Sequence, residues 1–190
     1  MDLQSYNVKG FDRGAAPWVE ALWILVSCCL FKSPIPLPSG VRRALLRCFG
    51  AKIGQRVVIR SPISISFPWR LEIGDDVWLG EGVMILSLAR VRIESNVCVS
   101  QRAFLCTGSH EFLRQTFDLV TEPITIREQS WIAAQAFIGP GVEIGPGSVV
   151  GAGCVATRDV PPNCFAQGNP MQTTPLSKNG PGAVRAIRGL

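Results

Sequence analysis

Apolar and polar positions fall into two regimes along the chain. From Ile53 onward an aliphatic residue recurs at every sixth position: Ile53, Ile59 and Ile65, then Ile73, Leu79 and Ile85, then Ile93, Val99 and Leu105. Each turn therefore advances by twenty residues, as from Ile53 to Ile73, which is three sixes plus a two-residue corner. After an interruption the units resume at Ile126, Ile132, Ile138, Ile144, Val150 and Ala156 without the extra pair. Small or β-branched residues follow four positions later at Val57, Val77, Val83, Val142, Ser148 and Cys154. This cadence predicts a parallel β-helix of about five coils, a triangular prism stacked at the ~4.8 Å spacing of neighbouring strands. The interior of such a coil admits one aliphatic side chain per unit, and its corners call for glycine or another small residue. An amphipathic helix fits poorly, because Gly139, Pro140 and Gly141, and then Pro146 and Gly147, would break it twice.

Ahead of the prism the pattern changes. Trp18 to Phe31 is apolar apart from Glu20, the prolines at 34, 36 and 38 break it, and Val41, Ala44, Leu45, Cys48 and Phe49 then share a helical face. Two readings of residues 16–49 stand side by side. In one they form a peripheral membrane contact with Arg42, Arg43 and Arg47 on anionic lipid; in the other they cap the open end of the β-helix. The chain divides into an N-terminal helical segment, 1–50, a β-helix domain, 51–171, carrying a loop insertion at 110–123, and a flexible tail, 172–190.

Composition narrows the function. The chain has 190 residues, a formal net charge of +5, 47% hydrophobic and 17% charged residues, 19 Gly and 14 Pro, which suits one domain of short strands and tight corners. The positive charge raises nucleic acid as a partner, but there is no dense basic tract or nucleic-acid motif, and none is expected. Seven cysteines without a CxxC pair read as reduced cytoplasmic thiols. No signal peptide is recognisable, and the apolar run at 18–31 is shorter than the roughly 20 residues needed to span a bilayer. A zinc site of His and Cys is not expected, so no metal is assigned.

The chain holds one histidine, His110. Taken alone it has three readings: general base, metal ligand, or a ring packed in a core. Its position adds context, because the repeat fails between Ser109 and Pro123, and a coil with an insertion extrudes it as a loop, where sites are commonly built. His110 stands at the base of that loop.

The segments Cys106-Thr-Gly-Ser-His-Glu111, Trp131-Ile-Ala-Ala134, Gly151-Ala-Gly153, Thr157-Arg-Asp-Val-Pro161 and Gly168-Asn-Pro170 resemble the hexapeptide-repeat acyltransferases, in particular the O-acetyltransferases of colanic acid and related exopolysaccharide biosynthesis. Pro17-Trp18, Ser33-Pro34 and Arg42-Arg-Ala-Leu-Leu46 are similar to that subgroup too, so the resemblance extends from about residue 5 to residue 171. It implies a left-handed β-helix, a homotrimer, and acetyl-CoA sites between neighbouring subunits. It further implies that His110 removes the proton of an acceptor hydroxyl, which attacks the thioester directly; a neutral imidazole suits that task. The pantetheine arm would run beside Ala134 and Ala152, with Thr157 and Arg158 near the nucleotide end and Trp131 lining the pocket. Glu111 is a candidate for orienting His110, and Ser87 and Phe112 for meeting the acceptor. Relatives often carry Asp or Asn where Ser87 stands, and a basic residue where this chain reads Met171-Gln-Thr-Thr174.

The expected activity is an acetyl-CoA-dependent O-acetyltransferase acting on a sugar hydroxyl of a lipid-linked or nucleotide-linked exopolysaccharide precursor, at the cytoplasmic face of the membrane. Two rivals remain: an acetyltransferase for an antibiotic or another small alcohol, and a non-catalytic β-helical assembly protein. A γ-type carbonic anhydrase on the same scaffold needs three histidines and is excluded by the single one.

Overall fold

The computed structural model describes residue 6 and residues 10–176. From residue 52 the chain winds into the expected left-handed parallel β-helix, whose three faces each carry at least five stacked strands. The first face stacks Lys52–Ile53, Leu71–Ile73, Val91–Ile93, Ile124–Ile126 and Glu143–Ile144. The second stacks Val58–Ile59, Trp78–Leu79, Cys98–Val99, Trp131–Ile132 and Val149–Val150. The third stacks Ser64–Ile65, Met84–Leu86, Phe104–Cys106, Phe137–Ile138 and Val155–Ala156. The register pairs Ile53 with Ile73, Leu79 with Val99 and Leu105 with Ile138, so the first residue of every unit points inward and is buried. The positions four residues on, such as Val57, Val77 and Cys154, are buried beneath them. Burying such a column of aliphatic side chains is the main stabilising term of the fold.

Glycine serves this prism in two ways, at the left-handed corners and where neighbouring coils approach closely. Gly54 and Gly145 follow the inward aliphatic residue, and a Cβ there would lie 2.5 Å from backbone atoms of Gly74 and Pro162, so close approach of the next coil requires them. The left-handed corner falls two residues later; Gly82, Gly141, Gly147 and Gly153 fill it at φ 74°, 76°, 65° and 66°, and Arg56, Asp76 and Asn96 fill it elsewhere at φ 51°, 56° and 59°. The reason is spatial: these corners project into solvent, where a polar side chain has room.

Helices α1 (Pro17–Val26) and α2 (Ser39–Cys48), joined through a π-helical turn at Ser27–Phe31, close the first end of the prism. Trp23, Phe31 and Leu46 are buried on the first coil, and the Trp23 ring lies 5.1 Å from those of Phe31 and Phe49. An unstacked coil leaves backbone N–H and C=O groups without strand partners. Here Trp23 Nε1 donates to Ile65 O at 2.9 Å, Arg43 to Val57 O at 2.8 Å, and Arg47 to Ile53 O and Gly54 O at 2.7 and 2.8 Å. Arg42, 2% exposed, donates to Ile59 O and to Leu37 O. The three arginines that one sequence reading turned toward lipid are thus turned onto the protein, because the first coil offers carbonyls that only donors can satisfy. No helix among the described residues is long and apolar enough to cross a membrane.

At the other end the chain leaves the prism and returns as Cys164–Gln167, parallel to Val149–Val150. Gln172–Pro175, in the segment expected to be tail, pairs antiparallel with that strand. Residues 177–190, the rest of the expected tail, lie outside the described residues.

Candidate active site

The loop insertion springs from the edge between the third and first faces. Thr107 anchors it: its buried hydroxyl accepts from Ala89 N at 2.9 Å and donates to Leu86 O at 2.7 Å. Gly108–His110 then pairs antiparallel with Leu119–Thr121, in a register that sets His110 against Leu119. The chain re-enters the prism at Ile124, opposite Val91. The coil thus tolerates the insertion without losing register.

Within this hairpin His110 is held on two sides. Its Nδ1 lies 2.9 Å from the carbonyl oxygen of Phe117. A carbonyl can only accept, so Nδ1 carries the hydrogen and the lone pair of the neutral ring sits on Nε2. The Phe117 ring stacks on the imidazole at 4.2 Å and an interplanar angle of 4°, and Tyr6 meets it at 5.8 Å and 60°. Ring orientation and tautomer are both set, which is what a general base requires. Sequence patterns do not show either aromatic partner. Phe117 occupies a left-handed loop position at φ 49°, and Tyr6 arrives from more than a hundred residues away.

The other candidate residues separate into groups. Glu111, expected to orient the ring, makes no hydrogen bond to it among the described residues; the Phe117 carbonyl takes that place, while the Glu111 backbone N–H donates to Asp118 O at 2.9 Å. Phe112 is exposed near the hairpin tip beside Leu113. Ser87, read as an acceptor contact, is fully buried, and its hydroxyl accepts from Phe67 N and donates to Phe67 O, both at 3.1 Å. It secures one coil to the previous one and presents nothing to an acceptor.

Thr157 and Arg158 are exposed on the same edge as His110, two coils further along, or ~10 Å at the strand spacing. Arg158 spends one N–H on Met171 O at 2.7 Å. Ala134 and Ala152 stack instead at the edge between the second and third faces, where Gly153 N donates to Ala134 O at 2.9 Å. A Cβ added at Gly153 would meet nothing within 4 Å, so a ligand can approach this edge closely. Trp131 stands on the second face, 37% exposed, its Nε1 donating to Ser100 Oγ at 2.8 Å. Within one protomer a full face of the prism, on the order of 15 to 20 Å wide, therefore separates the alanines from His110. A cavity of about 430 Å³ lies elsewhere, on the ion-paired first face among Lys52, Glu72, Arg92 and Glu94, and does not reach the histidine.

Residues 123–158 match the family described as Bacterial transferase hexapeptide (six repeats). The chain is 41% identical over 170 residues to the Escherichia coli (strain K12) protein named "Putative colanic acid biosynthesis acetyltransferase WcaF", spanning 89% of this chain and 93% of that one. Among solved structures, the hexapeptide-repeat acetyltransferase VCA0836 of Vibrio cholerae O1 biovar eltor, complexed with acetyl coenzyme A, superposes with a TM-score of 0.78 at 25% identity, covering 92% of this chain and 97% of that one. A galactoside acetyltransferase in complex with coenzyme A superposes with a TM-score of 0.75 at 27% identity, covering 85% and 82%.

Proposed function

The chain belongs to the hexapeptide-repeat acyltransferases, and from that premise we propose that it moves the acetyl group of acetyl-CoA onto a sugar hydroxyl, with His110 as the general base. The observation that carries this reading is the His110 ring, whose Nδ1–H is committed to Phe117 O and whose Nε2 is left with the lone pair. Nε2 takes the proton of the acceptor hydroxyl as its oxygen forms a bond to the thioester carbonyl carbon. The imidazolium returns that proton as the carbon–sulfur bond breaks and the coenzyme thiol leaves. The likeness to the galactoside acetyltransferase described above supports a sugar acceptor.

The site is completed by a neighbouring protomer in a homotrimer. Ala134, Ala152 and Trp131 lie on a different edge and face from His110, which supports a donor groove formed where one protomer's alanine edge meets another's histidine edge. Thr157 and Arg158 hold the nucleotide end, and Phe112 bounds the acceptor side. The acceptor is an exopolysaccharide precursor, lipid-linked or nucleotide-linked, modified on the cytoplasmic side. His110→Ala is expected to lower kcat/KM by roughly 10²- to 10⁴-fold with oligomeric state and melting temperature held. Undiminished acetyl-CoA turnover in that variant would remove the base assignment.

A further inference from the structure

The most anomalous surface of the molecule is on α1. Its sequence is almost wholly apolar, yet only Trp23 within it is buried. At about 100° per residue Trp18 and Leu25 fall on the side of the helix opposite Trp23. They are 70% and 62% exposed, with Leu22 beside them at 45%, and Cys28 and Cys29 continue the exposed surface into the following turn. Trp23 points at the first coil, so this face points away from the end of the prism. Packing of prism flanks against one another does not cover it.

Charge in the segment that carries the face is one-sided. Between residues 16 and 60 Glu20 is the single acid, against Lys32, Arg42, Arg43, Arg47, Lys52, Arg56 and Arg60. Glu20 is neutralised by Arg13. Arg42, Arg43 and Arg47 are committed to the first coil, and Lys52 and Arg56 pair with Glu72 and Asp76. Lys32 and Arg60 are exposed and make no ion pair among the described residues. An exposed apolar helix face ending in a tryptophan, on a cationic end of a protein, is the chemistry of an interfacial helix on anionic lipid.

We propose that the outer face of α1, through Trp18, Leu22 and Leu25, docks this end of the protein on an anionic membrane surface. This goes beyond the transferase reading and does not depend on it. In the proposed homotrimer, rotation about the axis would keep height, so three such faces would lie at one level and multiply a contact that a single protomer already makes.

The test is flotation of the full chain with vesicles of phosphatidylglycerol and phosphatidylcholine, and with phosphatidylcholine alone. The wild type is expected to float with the anionic vesicles, and less with neutral ones or at high salt. A W18S/L25S double variant removes two inserted side chains and is expected to lower the bound fraction at least about tenfold, with melting temperature and oligomeric state unchanged. K32E/R60E is expected to abolish the preference for anionic vesicles. The proposal is overturned if the wild type remains unbound with both compositions, or if W18S/L25S floats like the wild type. A lower oligomeric state in W18S/L25S would overturn it too, by showing that a second copy of the chain covers the helix.

Discussion

The first and last coils of the prism face the same difficulty, a row of backbone groups with no further coil to pair them, and they meet it in different ways. At the N-terminal end side chains do most of the pairing: Arg42, Arg43, Arg47 and Trp23 donate to carbonyls of the first coil, beside a main-chain bond from Ile63 N to Phe31 O at 2.9 Å. At the C-terminal end backbone does it. Gly151 N donates to Ala166 O at 2.8 Å, and the strand at Cys164–Gln167 is covered in turn by Gln172–Pro175. A strand closes an edge whatever its side chains are, whereas a side-chain closure depends on the identity of each donor. The two ends should therefore fail under different mutations.

The largest effect is expected at Arg42, where Arg42→Met keeps the aliphatic stem but removes the donor to Leu37 O, Ile35 O and Ile59 O, a cost of about 3 kcal/mol read by denaturant unfolding. If that variant unfolds like the wild type, side-chain closure contributes little and the contrast between the ends disappears. Truncation after Met171 removes the covering strand at the other end and is expected to cost about 2 kcal/mol, seen as a lower melting temperature. Ser87 carries the side-chain principle into the interior. Ser87→Ala is expected to cost about 1.5 kcal/mol while leaving the acceptor KM unchanged; a raised KM with full stability would return Ser87 to the acceptor site.

The smallest effect is electrostatic and lies on the flank between the two ends. The hydrogen bond from Lys52, opposed in part by burial and reinforced by the charges of Lys52, Arg90 and Arg92, holds Glu72 below the usual carboxylate range. A depressed folded-state value stabilises the protein above the unfolded value and is lost as pH falls through the folded one. Glu72→Gln should therefore lower stability at pH 7 and make no difference at pH 2, by ~0.5 kcal/mol at most for so exposed a pair.

Much of this architecture is legible in the sequence. The six-residue cadence placed Ile53, Leu79, Leu105 and Ala156 inward on their proper faces, because a prism interior one residue wide leaves a one-dimensional signature. The break at residue 109 located the hairpin, and with it His110. What escaped is set by relations between coils. Whether Arg43 faces lipid or Val57 O depends on which coil lacks a neighbour, and Ser87 is buried because Phe67 stands one coil below it. Phe117 and Tyr6 escaped for a similar reason, since neither belongs to a repeat, and the contact with Glu111 suggested by adjacency in sequence gave way to a backbone carbonyl seven residues on.

That carbonyl has an evolutionary corollary. Because the group steering the imidazole belongs to the main chain, no single side-chain replacement at position 117 deletes it, and the proton arrangement is insulated from most point mutation. Selection can therefore recut the neighbouring loop tip to suit new alcohols while the reactive nitrogen stays aimed, and the lineage's vulnerability shifts to insertions and deletions within the hairpin.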